Sequence, residues 1–402
     1  MQPRGANNPS AGVLDGIVVL DLTQMLAGPY CTMILADHGA DVIKIEPPHG
    51  DMSRQMGPFL EDDLEQCQGG YFHSINRNKR SVVLDLKAET GKEKLRGLVK
   101  SANVIVENFR HGVMERMGLS YESLREINPA LVYCAIRGFG DARTGGSPYV
   151  DWPAFDIVAQ AMGGFMSMTG PEALPTKAGA GIGDIVPGIM AAFGIVAGVR
   201  HAEIKGEGQF LDVAMYDAML AVSERIVYRY SFADDISHGE GNEHPLVCPF
   251  SIYAARDGWM AIGCPLDQQW NDLLTVMDME HLKADARFLD NPSRVENSEE
   301  VRKLITGWTS QYTKRELSEI LGGRVPAGPV NNIADIVDDP HIQKRNMLSP
   351  LELRGMTKQP FVASVPVHFT ETPGTVRSPG PELGEHNEEV FREFGIVARE
   401  DS

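Results

Sequence analysis

Along the first half of the chain, short apolar runs alternate with longer stretches of helical spacing. In "GIVVLDLTQMLAGPYCTMILADHGADVIKIEPP", Ile17–Leu20 and Val42–Ile45 have strand length, and a turn at Ala27-Gly28-Pro29 leads into a helical pattern between them. The order is strand, helix, strand. "SVVLDL" (Ser81–Leu86), the charged helical segment Ala88–Ala102, "NVIVENF" (Asn103–Phe109) and "LVYCAIRGFG" (Leu131–Gly140) continue it. Such alternation predicts an α/β fold: a Rossmann-like, doubly wound domain with a parallel sheet between helices.

From about Phe232 the texture changes. "ADDISHGEGNEHP" is a polar loop, followed by short strands in "SIYAARDGWMAIGCP" and a helix through Thr313–Leu321, which predicts a smaller α/β domain. The proline-rich segment "RGMTKQPFVASVPVHFTETPGTVRSPGPELGEHN" reads as a wrap back over the first domain, ending in the helical "EEVFREFG". Expected boundaries are 13–205 for the large domain, completed by 345–402; 206–228 for a linker helix; 229–330 for the small domain; and 331–402 for the linker and returning segment.

Composition narrows the function classes. At 402 residues the chain exceeds a single core, and 43% hydrophobic with 23% charged residues is globular usage. A net charge of −18 repels nucleic acid over most of the surface, so a polyanionic ligand needs a local basic patch. The five cysteines have no C-x-x-C spacing, which points to no structural metal site and to a reducing compartment. "MQPRGANNPSAG" reads as a frayed start without a signal peptide, and no run of about 18 apolar residues occurs; the expectation is a cytoplasmic protein without a membrane span.

One carboxylate draws attention. In "KAGAGIGDIVPGIMAAFG", Asp184 stands between a glycine-rich approach and an apolar helix. Gly179-x-Gly181-x-Gly183 approaches a dinucleotide fingerprint, but no strand precedes it and the third glycine comes one place early. An N-cap with Pro187 in the first turn is one reading, and a nucleophile held ionised at a helix N-terminus is another; the two are compatible. Arg54, Lys79, Arg80, Lys87, Arg116 and Arg137 fall on loops or strand ends, where open parallel sheets bind ligands and where a phosphate-bearing ligand fits.

"LDLTQMLAGPYCTMILADHGADVIKIEPPHGDMSR", "NRNKRSVVLDLK", "VENFRHGVMERMGLSYESLREINPALVY", "FDIVAQAMGGFMSMTG", "GIGDIVPG", "GEGQFLDVAMYDAML" and "VPAGPVNN" together resemble the class III coenzyme A transferases of CaiB/BaiF type, from about Leu14 to Gly395. The resemblance implies that Asp184 is the nucleophile, forming an acyl anhydride and then an aspartyl-CoA thioester, with acyl-CoA and a carboxylic acid as substrates and no tightly bound cofactor or metal. It implies CoA contacts at Ala27, Arg54, Leu84, Lys87, Asn108, Phe109 and Arg116, although Pro47 replaces a family arginine. Leu26 replaces the glutamine of the formyl-CoA enzyme, which argues against a formyl substrate. Asp156 matches that enzyme's active-site glutamate, with a helix-start cap as the alternative. The loop "SHGEGNEHP", with Gly239 and Gly241, matches a glycine-rich flap. The family fold is an interlocked, ring-like homodimer. Racemases of the family carry a histidine before the aspartate matching Asp156; here it is Phe155, so transfer is expected over α-methylacyl-CoA racemisation or a non-catalytic CoA-binding role.

Overall fold

The structure, a computed structural model, describes residues 12–396. The expected frayed start through Ala11 and the last six residues of the returning segment lie outside the described residues. The chain divides into two compact units, one made of the residues up to Phe165, Lys177–Ala233 and the chain from His341 on, the other of Met166–Thr176 and Asp234–Pro340.

The first unit holds six parallel strands: β1 (Val18–Asp21), β2 (Asp41–Glu46), β3 (Arg80–Val83), β4 (Val104–Glu107), β5 (Val132–Arg137) and β6 (Phe210–Ala214), in the order β3-β2-β1-β4-β5-β6. The β-branched runs are buried on both faces, as continuous apolar strands require. On one face, Val19, Val42, Val104, Val132 and Ile136 pack against α1 (Ala27–Asp37) and α6 (Ile182–Lys205). On the other, Leu20, Ile43, Val82 and Ile105 meet α3 (Glu89–Val99), α4 (Tyr121–Ile127) and α12 (Asn387–Glu393). Helices α2 (Gly70–Asn76), α5 (Asp156–Met162), α7 (Met215–Val222) and α8 (Glu224–Ala233) complete this unit. The outer edge of β3 is covered by the returning segment: Ser81 N–H donates to His386 Nδ1 (3.2 Å), Val83 N–H to Asn387 Oδ1 (2.9 Å), and His386 N–H to the Ser81 carbonyl (3.0 Å).

One expectation is corrected here. The 206–228 segment is not a linker helix: Phe210–Ala214 pairs with β5 as the sheet's last strand, and α7 follows it. Its "FLDVA" residues are half-buried up to Ala214, as suits a half-covered edge strand. Helix α6 is long and apolar enough to cross a membrane by length and composition alone. Ala191, Ala192, Ile195 and Val199 nevertheless bury its inner side on the sheet, while Phe193 and Val196 stay exposed on the outer side.

In the second unit, β7 (Phe250–Ala255), β8 (Gly258–Gly263) and β9 (Ala327–Pro329) form an antiparallel sheet. It packs with α9 (Asp267–Val276), α10 (Ser298–Thr309) and α11 (Lys314–Leu321) around Tyr253, Trp270, Ile305 and Leu317. The stretch 166–176, expected in the large domain, belongs here because Gly170–Pro171 pairs with Glu240–Gly241.

Candidate active site

Strand order reverses between β1 and β4, and the loops leaving their C-terminal ends meet there. Asn108, just past β4, brackets Gln24, just past β1. Its amide nitrogen donates to the Gln24 carbonyl (2.8 Å) and its oxygen accepts the Gln24 N–H (2.9 Å). Beneath this loop lies a buried set of charges. Lys44 Nζ donates to Asp51 Oδ2 and to the Thr23 carbonyl, both at 2.9 Å. Lys79 Nζ donates to Asp21 Oδ2 (2.9 Å), and Thr23 and Thr32 hydroxyls donate to the same carboxylate. Lys79 and Lys44, with these two hydroxyls, hold Asp21 well below the usual carboxylate range against the opposing effect of burial. Asp51 Oδ1 also accepts the N–H of Met25 (3.3 Å), which sits in the left-handed region at φ 66°. The turn leading into α1 is thus tied at Thr23, Gln24 and Met25.

Ala27, the first residue of α1, faces α6. A Cβ added at Gly188 would lie 2.6 Å from the Ala27 carbonyl oxygen, so only glycine permits this crossing. Helix α6 starts at Ile182 with Gly181 as its N-cap residue, one turn earlier than a cap at Asp184 requires. Asp184 is therefore not the cap: it lies inside the first turn, and Pro187 falls in the second. Asp156 supplies the hydrogen bond that an N-cap side chain makes, its Oδ1 accepting Gly183 N–H at 2.8 Å. Gln160 Nε2 donates to both Asp156 oxygens (2.9 Å each), and Gln160 Oε1 accepts the Ala178 N–H (2.9 Å). Asp156 opens α5 without capping it, so the helix-start alternative is set aside.

The Asp184 carboxylate is half-buried, and burial first, then the Asp156 charge, raises it from 3.8 to about 7. No hydrogen bond or ion pair reaches it among the described residues. A carboxylate so placed is poorly solvated, lies at the positive dipole end of α6 and, once ionised, is free to attack. Tyr71 on α2, which sequence reasoning missed, is near enough that burial and then Asp184, Asp51 and Asp156 push its phenol up to about 12. No spacing in "GGYFHSINRNKR" singles it out; only the fold brings it to Asp184.

The remaining expected residues divide. Lys87, beyond β3, and Arg116, beyond β4, are exposed cations with no ion pair among the described residues. Phe109 is half-buried, its N–H donating to Glu107 (2.7 Å). Leu84 is buried in the core at the end of β3. Arg54 is a correction. It grips buried Glu46 through Nε (2.8 Å) and Nη2 (2.7 Å), donates Nη1 to the Pro381 carbonyl (2.9 Å) and stacks 3.8 Å from the Phe72 ring centroid. The buried carboxylate needs that partner, so Arg54 is no free phosphate ligand. Asn108 likewise uses its oxygen and one amide hydrogen within the protein. Gly239 and Gly241 belong to the second unit: a Cβ at Gly239 would come within 2.5 Å of the Gly170 carbonyl, and Gly241 has φ 63°. The expected flap is held there in a two-residue ladder.

The first unit also carries a groove of about 1320 Å3 along Tyr30, Ile34, Phe193, Val196, Phe361 and Val367. Its lining is mostly apolar, and Tyr71 is part of it.

The profile of CoA-transferase family III matches residues 14–387. The chain is 46% identical over 386 residues to a succinyl-CoA:mesaconate CoA-transferase of Haloarcula hispanica, covering 96% of this chain and 97% of the relative. It is 39% identical to a succinate–glutarate CoA-transferase of Agrobacterium fabrum, covering 96% of each. Among solved structures, a CaiB/BaiF family protein from Brucella suis superposes with a TM-score of 0.84 at 35% identity, over 96% of this chain and all of that one. With the family matched over nearly the whole length and a parallel α/β sheet of the same fold, this chain belongs to CoA-transferase family III.

Proposed function

We propose that the enzyme moves CoA between an acyl-CoA thioester, of which succinyl-CoA is the first choice, and a free short-chain or dicarboxylic acid, through an aspartyl-CoA thioester on Asp184. The observation that carries this reading is the unpartnered, half-buried Asp184 carboxylate in the first turn of α6, beside Asp156. The dicarboxylic substrates in the relatives' names support the substrate class.

The steps balance without redox chemistry. An Asp184 oxygen attacks the thioester carbonyl, the C–S bond breaks, and CoA leaves as thiolate from a mixed anhydride. The thiolate then attacks the aspartyl carbonyl, which releases the donor acid and leaves Asp184 joined to CoA. The acceptor carboxylate attacks this thioester, giving a second anhydride and thiolate; the thiolate takes the acceptor acyl group and frees Asp184. The positive dipole end of α6 stabilises the oxyanion at each attack. Lys87 and Arg116 supply charge for the nucleotide phosphates. Asp184 must be ionised to attack, so kcat/KM for the donor rises with pH through about 7.

Incubation with succinyl-CoA followed by intact-mass analysis tests the reading. A CoA-sized increment that hydroxylamine removes is expected, absent in Asp184→Ala. An Asp184→Ala enzyme with normal turnover overturns it.

The enzyme works as an interlocked homodimer in this proposal. The apolar outer face of α6 and the groove beside it fit a second copy of the chain. Light scattering of the wild type against Phe193→Asp tests this; a monomeric wild type refutes it.

A further inference from the structure

Gln160 is fully buried on α5, and both ends of its amide are engaged. Its donors hold the Asp156 carboxylate, and its acceptor holds the Ala178 N–H in the loop that enters α6. Asp156 in turn holds Gly183 N–H, one residue before Asp184. The contact is tight: a Cβ at Gly183 would lie 2.5 Å from the Asp156 carbonyl oxygen. A single amide therefore fixes the carboxylate beside the nucleophile and the loop leading to it.

We infer that Gln160 is a positioning residue of the transfer reaction, holding Asp156 and the Lys177–Gly183 approach in the one arrangement that presents Asp184 to the thioester. The inference rests on Asp184 being the nucleophile. Two carboxylates at neighbouring helix starts repel each other, and the Gly183 N–H alone contacts only one oxygen of Asp156. The amide holds both oxygens, so Asp156 cannot turn away from Asp184. Without it Asp156 is free to rotate toward solvent, and the loop loses its tether at Ala178. The charged and titratable groups around the amide are Asp156 on its own helix, Asp184 on α6, Tyr71 on α2 and Lys177, whose ammonium donates to the Ala178 carbonyl (2.7 Å). Helix α7 faces α5 with the apolar Met219.

Two variants and one ratio test it, with succinyl-CoA as the probe and the rate of CoA-adduct formation as the readout. Gln160→Leu keeps the volume and removes all three hydrogen bonds. Its adduct rate is expected to fall by about ten- to a hundredfold, the loss typical of a reacting group displaced by about 1 Å, with donor KM within about twofold of wild type. Gln160→Glu is the sharper variant. When protonated, its carboxyl can donate to Asp156 and accept from Ala178; when ionised, it repels Asp156. The ratio of its rate to that of wild type should therefore fall as pH rises from about 5.5 to about 8.5. An amide needed only for stability would give no such slope once the variant is folded, and should Gln160→Leu fail to fold, the slope decides alone. A wild-type adduct rate in Gln160→Leu, or a pH-independent Gln160→Glu ratio, overturns the inference while leaving Asp184 in place. If the wild type itself forms no Asp184-dependent adduct, the proposed mechanism fails and takes this inference with it.

Discussion

Replacing Asp184 by asparagine should make the protein more stable, and increasingly so as pH rises. Burial and the Asp156 charge move the carboxyl from 3.8 to about 7 in the folded chain. Between those values the folded state holds the proton more firmly than the unfolded state, so stability contributed by this group falls as pH increases and the full penalty is present above about pH 7. The displacement corresponds to about 4 kcal/mol, and partial solvent access to the carboxyl reduces it to about 2 kcal/mol. Asparagine has nearly the same shape and no titration in this range. Its advantage over wild type should therefore be near zero at about pH 4 and reach about 2 kcal/mol at about pH 8. Urea unfolding of the two proteins in parallel across that range reads the difference, because titrating groups that do not interact with Asp184 cancel. An offset that stays constant with pH would refute the reasoning, since Asp184 would then titrate like any solvated carboxylate.

Other outcomes follow from the same geometry. Arg116→Ala should raise donor KM by about ten- to a hundredfold with kcat little changed, since a phosphate contact far from the reacting carbon serves ground and transition states alike; steady-state kinetics at moderate salt check it. Gly183→Ala drives a methyl toward the Asp156 carbonyl oxygen 2.5 Å away, and should lower stability by about 1–3 kcal/mol and slow adduct formation. Lys44→Met leaves Asp51 buried without its ammonium partner and should destabilise by about 3–5 kcal/mol, visible as a lowered urea midpoint. Incubating a chiral 2-methylacyl-CoA in deuterated water should give no α-deuteration by mass spectrometry, because Phe155 offers no base beside Asp156.

Where burial dictates the pattern, the sequence was readable. Val18–Asp21, Asp41–Glu46, Val104–Glu107 and Val132–Arg137 lie where the apolar runs predict strands, since a strand covered on both faces has no polar face to interrupt it. Phe210–Ala214 escaped because an edge strand alternates weakly and runs straight into a helix. At the site, the glycine-rich approach exposed Asp184, although the helix begins before it rather than at it. Arg54 misled for a definite reason: its partner Glu46 ends a strand and carries no local mark of burial, so the pairing exists only in three dimensions. Tyr71 was invisible on the same ground, an ordinary phenol brought to Asp184 from another helix, and Gln160 was an ordinary amide whose bond to the distant Ala178 leaves no local mark.

The covered edge of β3 has a consequence for the order in which the molecule is made. Ser81 and Val83 emerge from the ribosome early, yet the His386 and Asn387 groups that satisfy their backbone lie about 300 residues later. At ordinary elongation rates the nascent chain carries this β-edge unprotected for roughly 15 to 60 s. During that interval the growing chain presents a template for pairing with other strands. Chains released before His386 should therefore aggregate even though the whole sheet has been synthesised, and the segment at His386 and Asn387 acts as a closing seal on one of the first strands.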